Sequence, residues 1–289
     1  MSAKIISFIN LKGGVAKTTT TVGVATVLSG EKGKKVLVID LDPQTNCTTM
    51  LIGEERWQSL NQQGYTLYTL FQDALDEKGQ YEFNLPKTLQ KGVSGIRDVT
   101  TVDLIPSSLD IIDLQDHIAT MPGGSFYSFR PIDIIYNALQ PILNNYDYVL
   151  IDCPPNMGVI TLNGLRMSDG YIIPTIPDVL STYGIPQIVR RVAKFSRNLG
   201  KNIPCFGIVA TKVRKQSNLH RKTMEMLRHG KERVPMFRTI FYENNHIAEI
   251  ADFVPANTLK QKWGYQGQLE AFISFVEEIM ELEQHSSGK

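Results

Sequence analysis

Cysteine is scarce in this 289-residue chain: Cys47, Cys153 and Cys205 lie far apart and form no C-x-x-C spacing. That pattern supports neither a disulfide framework nor a zinc or iron–sulfur site. Reduced, buried thiols in a cytoplasmic protein are expected instead. Long apolar runs are also missing. No stretch approaches the ~20 residues that a membrane-spanning helix needs. The first residues, MSAKIISFINLKGG, lack the apolar run of a signal peptide. Net charge is nearly absent too, with 30 Lys and Arg against 29 Asp and Glu. Taken as a total, it argues against a nucleic-acid partner. The distribution of the charge argues otherwise, as set out below. What remains is an ordinary globular composition, 42% hydrophobic and 20% charged, long enough for a sizeable core.

Short Val/Ile/Leu runs alternate with helix-period segments. Strands are predicted over 5–9, 36–39, 102–105, 148–151, 171–173 and 206–210. Helices are predicted over 18–29, 109–120, 131–144, 159–167, 185–199, 219–229 and 267–283. Near-continuous apolar strands are buried on both faces, as in a parallel sheet covered by helices. The alternation predicts a doubly wound α/β fold with a mostly parallel sheet and helices on both faces. One domain over 1–289 is expected. Residues 53–95, rich in Gln, Gly and Tyr, read as an irregular insertion with one short helix near 67–75.

The first strand runs into Asn10-Leu11-Lys12-Gly13-Gly14-Val15-Ala16-Lys17-Thr18-Thr19 and then a helix. Strand, glycine turn and helix N-terminus are the context of a phosphate-binding loop. Backbone N–H groups there point at phosphate oxygens, and the helix dipole adds to the attraction. Gly13, Gly14, Val15, Ala16, Lys17, Thr18 and Thr19 would cradle the phosphates, Lys17 would reach the terminal ones, and the Thr18 hydroxyl would ligate Mg²⁺. The pattern G-x-x-x-x-G-K-[ST] is met imperfectly, because Leu11 and Ala16 stand at its glycine positions. Asp40, Asp42 and Asp152 fall at strand ends, facing the crevice where open α/β sheets bind ligands.

These motifs resemble the ParA/MinD group of deviant Walker-A ATPases, whose loop reads K-G-G-x-G-K-[ST]. The similarity covers most of the chain and is nearest to the ParA-type partition and cargo-positioning members. Lys12 matches the signature lysine, Asp40-Leu41-Asp42-Pro43-Gln44 the second motif, and the run from Tyr148 to Pro155 the Walker-B-like motif. The resemblance implies ATP and Mg²⁺ as cofactors, with Asp42 orienting the attacking water. It implies Asp40 and Asp152 on the metal through its water ligands, with Thr18, and Thr19 at the α-phosphate. It implies that Lys12 reaches across a homodimer to the partner's nucleotide, so that Lys12, Lys17 and Asp42 form the catalytic set. Residues 10–19, 42–49 and 154–158 become nucleotide-sensing loops. The loop after Thr211 and the Asn244-Asn245 pair are the candidates for base contacts.

The charge is unevenly spread. Between 186 and 238 there are fourteen basic residues and only two acidic ones, Glu225 and Glu232, which makes +12. The remainder carries −11. Such asymmetry points to a polyanion. Arg190, Lys194, Arg197 and Lys201 follow one helical face, with Arg191 beside them; Arg214 and Lys215 lie in the next loop, and Arg221 and Lys222 on the next helix. Duplex DNA, bound through phosphates without sequence preference, is the expected partner, and a ParB-like cargo adaptor is implied by the resemblance. A cytoplasmic, nucleoid-associated protein is expected. A MinD-like membrane switch is the first alternative, but Glu277, Glu278, Glu281 and Glu283 make the tail acidic, which anionic lipid would repel. A metabolic ligase of the same fold is the second; it would need neither the basic block nor Lys12. An iron–sulfur carrier would need the paired cysteines that are missing.

Overall fold

The computed structural model describes residues 2–76, 79–120, 130–229, 234–243 and 253–286. Lys231, Arg233 and the Asn244-Asn245 pair lie outside them, as does the side chain of Glu283.

Seven strands form one all-parallel sheet: β1 (Lys4–Phe8), β2 (Val36–Asp40), β3 (Val102–Ile105), β4 (Tyr148–Asp152), β5 (Gly170–Thr175), β6 (Cys205–Val213) and β7 (Met236–Tyr242). Their order across the sheet is β3-β2-β4-β1-β5-β6-β7. Residues with period 2 supply two separate cores. Ile6, Phe8, Val36, Val38 and Leu150 face one side, and Ile5, Ile9, Leu37, Ile39 and Ile151 face the other. This alternation of two fully buried faces is what a parallel sheet between helical layers requires. The predicted doubly wound architecture is therefore the one observed.

On the first face lie α1 (Lys17–Gly30), α2 (Asn46–Ile52) and, at the C-terminal end, α11 (Leu259–Trp263) and α12 (Gln268–Ser286). On the other lie α4 (Leu67–Leu75), α6 (Ile111–Ala119), α7 (Ile134–Leu143), α8 (Val159–Met167) and α9 (Val179–Leu199). Helix α10 (Asn218–His229) packs against α9. The insertion holds more helix than expected: α3 (Glu54–Gln62) and the short α5 (Leu85–Thr88) flank α4. Its far end covers the edge strand β3, where Gln90 pairs antiparallel with Leu104, and Ile96 pairs with Ala256.

The start of α9 and the strand β7 depart furthest from the expectation. Helix α9 begins six residues earlier than residue 185 and runs through Pro186, because Asp178 caps it by accepting from the Ser181 amide at 3.1 Å. Strand β7 was not anticipated. It is half-buried and alternates inward Phe237 and Phe241 with outward Arg238 and Tyr242. Phe237 meets Phe275 of α12 edge-on at 4.8 Å. Glu278 of α12 also accepts from the amides of Arg238 (2.7 Å) and Thr239 (2.8 Å). The apolar face of α12 is thus buried in the core. Among the described residues no helix is long and apolar enough to cross a membrane.

Candidate functional site

Strand register builds the site. Phe8 lies beside Asp152, and Asp152 beside Asp40, so the end of β1 and two carboxylates form one row at the C-terminal edge of the sheet. The loop after β1 curls over this row before α1 starts at Lys17. Gly13 and Gly14 are exposed, and a Cβ on either would meet no atom within 4 Å, which leaves an open backbone cradle. Gly14 has φ +72, a conformation that glycine adopts freely. Ala16, one residue before the helix, sits at φ 62, ψ 31 in the left-handed region. The loop therefore keeps the backbone turn that glycine usually provides, at a cost of about 1–2 kcal/mol for the alanine methyl.

Lys17 is buried, with its ammonium turned back toward the Lys12 carbonyl at 3.5 Å. The Thr18 hydroxyl donates to Asp152 Oδ2 at 2.6 Å. The other carboxylate oxygen, Asp152 Oδ1, is buried and has no hydrogen-bond partner among the described residues. Burial pushes the Asp152 carboxyl up to about 7, against the opposing pull of the Thr18 hydroxyl and the Lys17 charge, and the Asp42 charge adds to the rise. A buried carboxylate with one bare oxygen, beside a hydroxyl, suits a hard cation. Among the described residues no group of three or more His, Cys, Asp or Glu is placed to hold a metal ion by side chains alone. Mg²⁺ is commonly held by one or two carboxylates plus substrate phosphates and water.

Asp40 is differently placed. Its Oδ2 accepts from the Thr48 amide (2.8 Å) and hydroxyl (2.7 Å), and its Oδ1 from the Asp42 amide (3.1 Å). Burial first, and the nearby Asp152 charge second, raise its carboxyl well above the ordinary range. Asp40 organises the loop that carries Asp42, whose own Oδ1 accepts from the Gln44 amide at 3.0 Å. Thr48, at the start of α2, carried no motif in the sequence; its role comes from its contact with Asp40.

Asn10 ties the loop to the neighbouring strand. Its amide donates to the Pro174 carbonyl at 2.8 Å, and its Oδ1 accepts from the Lys12 amide at 2.9 Å. Lys12 itself pairs with Asp178 of the same chain. On the other flank, Thr211 of β6 donates to the Val15 carbonyl at 2.9 Å. Beyond it, a pocket of about 650 Å³ opens between Val213, Arg214, Ser217, Tyr242 and Glu243. It adjoins the loop after Thr211 that the sequence singled out. Thr19 lines a smaller, separate cavity beside Thr211 and Trp263.

Arg190, Arg191, Lys194 and Arg197 are all exposed along α9, opposite its buried Ile185, Ile188 and Val192. Lys201 does not continue that face. The chain turns at Gly200 (φ 68), and the lysine donates to the Met167 carbonyl at 3.0 Å, capping α8. Lys215, Arg221 and Lys222 are exposed, and the Lys215 ammonium lies 4.7 Å from the Tyr242 ring centre. Arg214 forms two bonds to Glu243, at 2.6 and 3.2 Å.

Residues 3–205 match the AAA domain family. An uncharacterised protein of Mycobacterium tuberculosis is 32% identical over 210 residues, 73% of this chain. The match spans only 58% of that relative's length. The sporulation initiation inhibitor protein Soj of Bacillus subtilis is 29% identical over 247 residues, covering 85% of this chain and 87% of Soj. Among solved structures, Cyanothece apo McdA superposes with a TM-score of 0.76 at 20% identity, over 96% of this chain and 99% of McdA. A cobyrinic acid a,c-diamide synthase from Mycobacterium smegmatis, with bound ADP and magnesium, superposes at 0.73 and 22% identity, over 99% of this chain and 97% of that one. With a strand-borne phosphate loop carrying both lysines and carboxylates in register at its floor, the chain belongs to the ParA/MinD-type P-loop ATPases.

Proposed function

We propose that this protein is a ParA-like ATPase that hydrolyses ATP slowly, closes into a homodimer when ATP is bound, holds duplex DNA without sequence preference, and positions a cargo through an adaptor that stimulates hydrolysis. The observation that carries the reading is the Thr18–Asp152 pair, with its bare carboxylate oxygen, under a loop that presents both Lys12 and Lys17. Thr18 and Asp152 would hold Mg²⁺, with Asp40 behind them fixing the loop. Bound there, the ion would neutralise charge on the β- and γ-phosphates. Backbone N–H groups from Gly13 to Thr19 cradle the phosphates, and Lys17 neutralises the terminal ones. Asp42 orients the attacking water, and Lys12, supplied in trans, stabilises the charge of the transferring group much as an arginine finger does. The pocket beyond Thr211 takes the base. Arg190, Arg191, Lys194, Arg197, Lys215, Arg221 and Lys222 face the DNA phosphates, with Arg214 alongside.

Among the similar proteins, Soj supports this reading; the likeness to McdA is one of fold alone. The synthase similarity extends to fold alone, and a ligase has no use for a cationic helix face. Binding to random duplex DNA with ATP, with ADP and without nucleotide separates the two. A positioning ATPase binds chiefly in ATP. Equal binding in all three states, or none, would overturn the DNA part of the proposal.

A further inference from the structure

Lys12 is the residue that must leave its own protomer for the proposed mechanism to work, yet here it has a partner within the chain. Its ammonium pairs with Asp178 Oδ2. The same carboxylate, through Oδ1, accepts from the Ser181 amide at 3.1 Å and the Ser181 hydroxyl at 3.0 Å. Asp178 is therefore at once the N-cap of α9 and the counter-charge of Lys12. Burial works to raise its carboxyl, but the Lys12 and Ser181 hydrogen bonds outweigh it and hold it below its ordinary value. The pair is only partly screened from water, with side-chain exposures of 37% for Lys12 and 25% for Asp178. It is strong enough to direct the lysine and weak enough to break when a more highly charged anion competes.

The next residues make the location informative. Val179, Leu180 and Tyr183, in the first turns of α9, are 51%, 67% and 68% exposed. Three apolar side chains standing in water beside the ion pair form a surface suited to a second copy of the chain. Further along the same helix come Arg190, Arg191, Lys194 and Arg197. One rigid element thus begins at the Lys12 partner, presents an apolar turn, and continues into the basic face.

We propose that Asp178 is a positioning residue that holds Lys12 within its own protomer, and that release of this contact is a step in ATP-driven self-association through the first turns of α9. Nucleotide phosphates on a second copy carry more negative charge than one carboxylate, so they displace Asp178 from the lysine. Asp178 remains as the helix cap, and α9 is then bound at its start by the partner rather than by its own phosphate loop. The inference rests on the dimeric reading given above.

Asp178→Asn tests it, because asparagine caps a helix as well as aspartate does but carries no charge. In ATP, the variant should dimerise at an about 25-fold lower protein concentration, because a symmetric dimer opens two such pairs and each is worth about fivefold at this exposure. In a Lys12→Ala background the same change should do nothing. A shift of equal size in both backgrounds, or none with Lys12 present, would overturn the proposal. A second readout needs no dimer. In nucleotide-free protein, acetic anhydride labelling of Lys12, normalised to the exposed Lys35, should accelerate about fivefold in Asp178→Asn, as expected for release of a pair of this strength. Unchanged labelling would refute the contact itself. If the unaltered protein failed to dimerise in ATP while labelling responded as expected, the positioning function would fall and the intrachain restraint would stand.

Discussion

Replacing Asp152 by asparagine should stabilise the ligand-free protein while disabling it. The carboxyl is fully buried at the end of β4, and its folded-state pKa is pushed up to about 7. In an unfolded chain it titrates near 3.8. Folding therefore favours the protonated acid. Below about pH 4 the side chain is neutral in both states and costs nothing. Between about 4 and 7 the unfolded chain is ionised while the folded one holds its proton, so stability falls as pH rises. Above about 7 the full penalty is present. A difference of about 3 pH units corresponds to roughly 4 kcal/mol. Asparagine has nearly the same shape, can still accept the Thr18 hydroxyl, and never ionises. Its NH₂ group would face the side where Oδ1 has no donor, and an unpaired amide costs about 1–3 kcal/mol. That offset is constant with pH, so the slope carries the information. Urea unfolding of both proteins from pH 4 to 8, in EDTA and without nucleotide, gives the difference directly. The advantage of Asp152→Asn should grow by roughly 4 kcal/mol between pH 4 and 7.5 and then level off. A difference independent of pH would refute the buried, strained carboxylate. The same variant should lose the extra stability that Mg²⁺ and ATP together confer on the unaltered protein.

Lys12→Ala should largely abolish hydrolysis yet retain nucleotide binding, and Asp42→Ala should accumulate as an ATP-bound dimer; phosphate release and size-exclusion chromatography in saturating ATP check both. Lys194→Ala and Arg197→Ala should each lower the slope of log DNA affinity against log salt by about 0.9, whereas Lys201→Ala should leave that slope alone and lower the melting temperature, since Lys201 caps α8. Gly23→Ala places a methyl 2.2 Å from the Phe272 ring; overpacking of about 1–3 kcal/mol should exceed the helix-propensity gain of about 1. Combined with Phe272→Ala the same change should become stabilising, which thermal unfolding of the two pairs would show.

The phosphate loop could be read from the sequence because its chemistry is local: strand, turn, two lysines and threonines lie within fifteen residues. Asp40 and Asp152 could be placed at strand ends by the apolar runs before them. Their division of labour could not. It depends on Thr48, which occupies both the amide and hydroxyl contacts to Asp40 while Asp152 keeps a bare oxygen. The early start of α9 could not be read from apolar spacing, because the cap that Asp178 forms with Ser181 lies six residues before the predicted start at 185. Strand β7 was hidden by its half-buried alternation and by Arg238, which reads as part of a charged segment when its neighbours Phe237 and Phe241 are ignored. The Lys12–Asp178 contact spans 166 positions, and no spacing rule reaches that far.

Charge shows the same limit in a form that bears on function. Counted along the chain, residues 186–238 carry +12 against −11 elsewhere. In space the two populations are partly mixed. Glu243 lies on Arg214, and Glu278 and Glu281 lie on Arg238. All three acids come from outside the basic segment, while Lys201 is turned toward helix carbonyls. Among the described residues, the exposed cations of the segment that form no salt bridge are concentrated on the packed pair α9 and α10: Arg191, Lys194 and Arg197 on one, Arg221, Lys222 and Arg228 on the other. Phosphate affinity depends on how many cations can approach the backbone together, so the helices should govern DNA affinity and the loop carrying Arg214 should matter less. Since Asp178 is the N-cap of α9, the helix that would hold DNA is the one whose capping residue holds Lys12. Nucleotide state and DNA binding would then be linked through a single rigid helix, with no need for a longer relay.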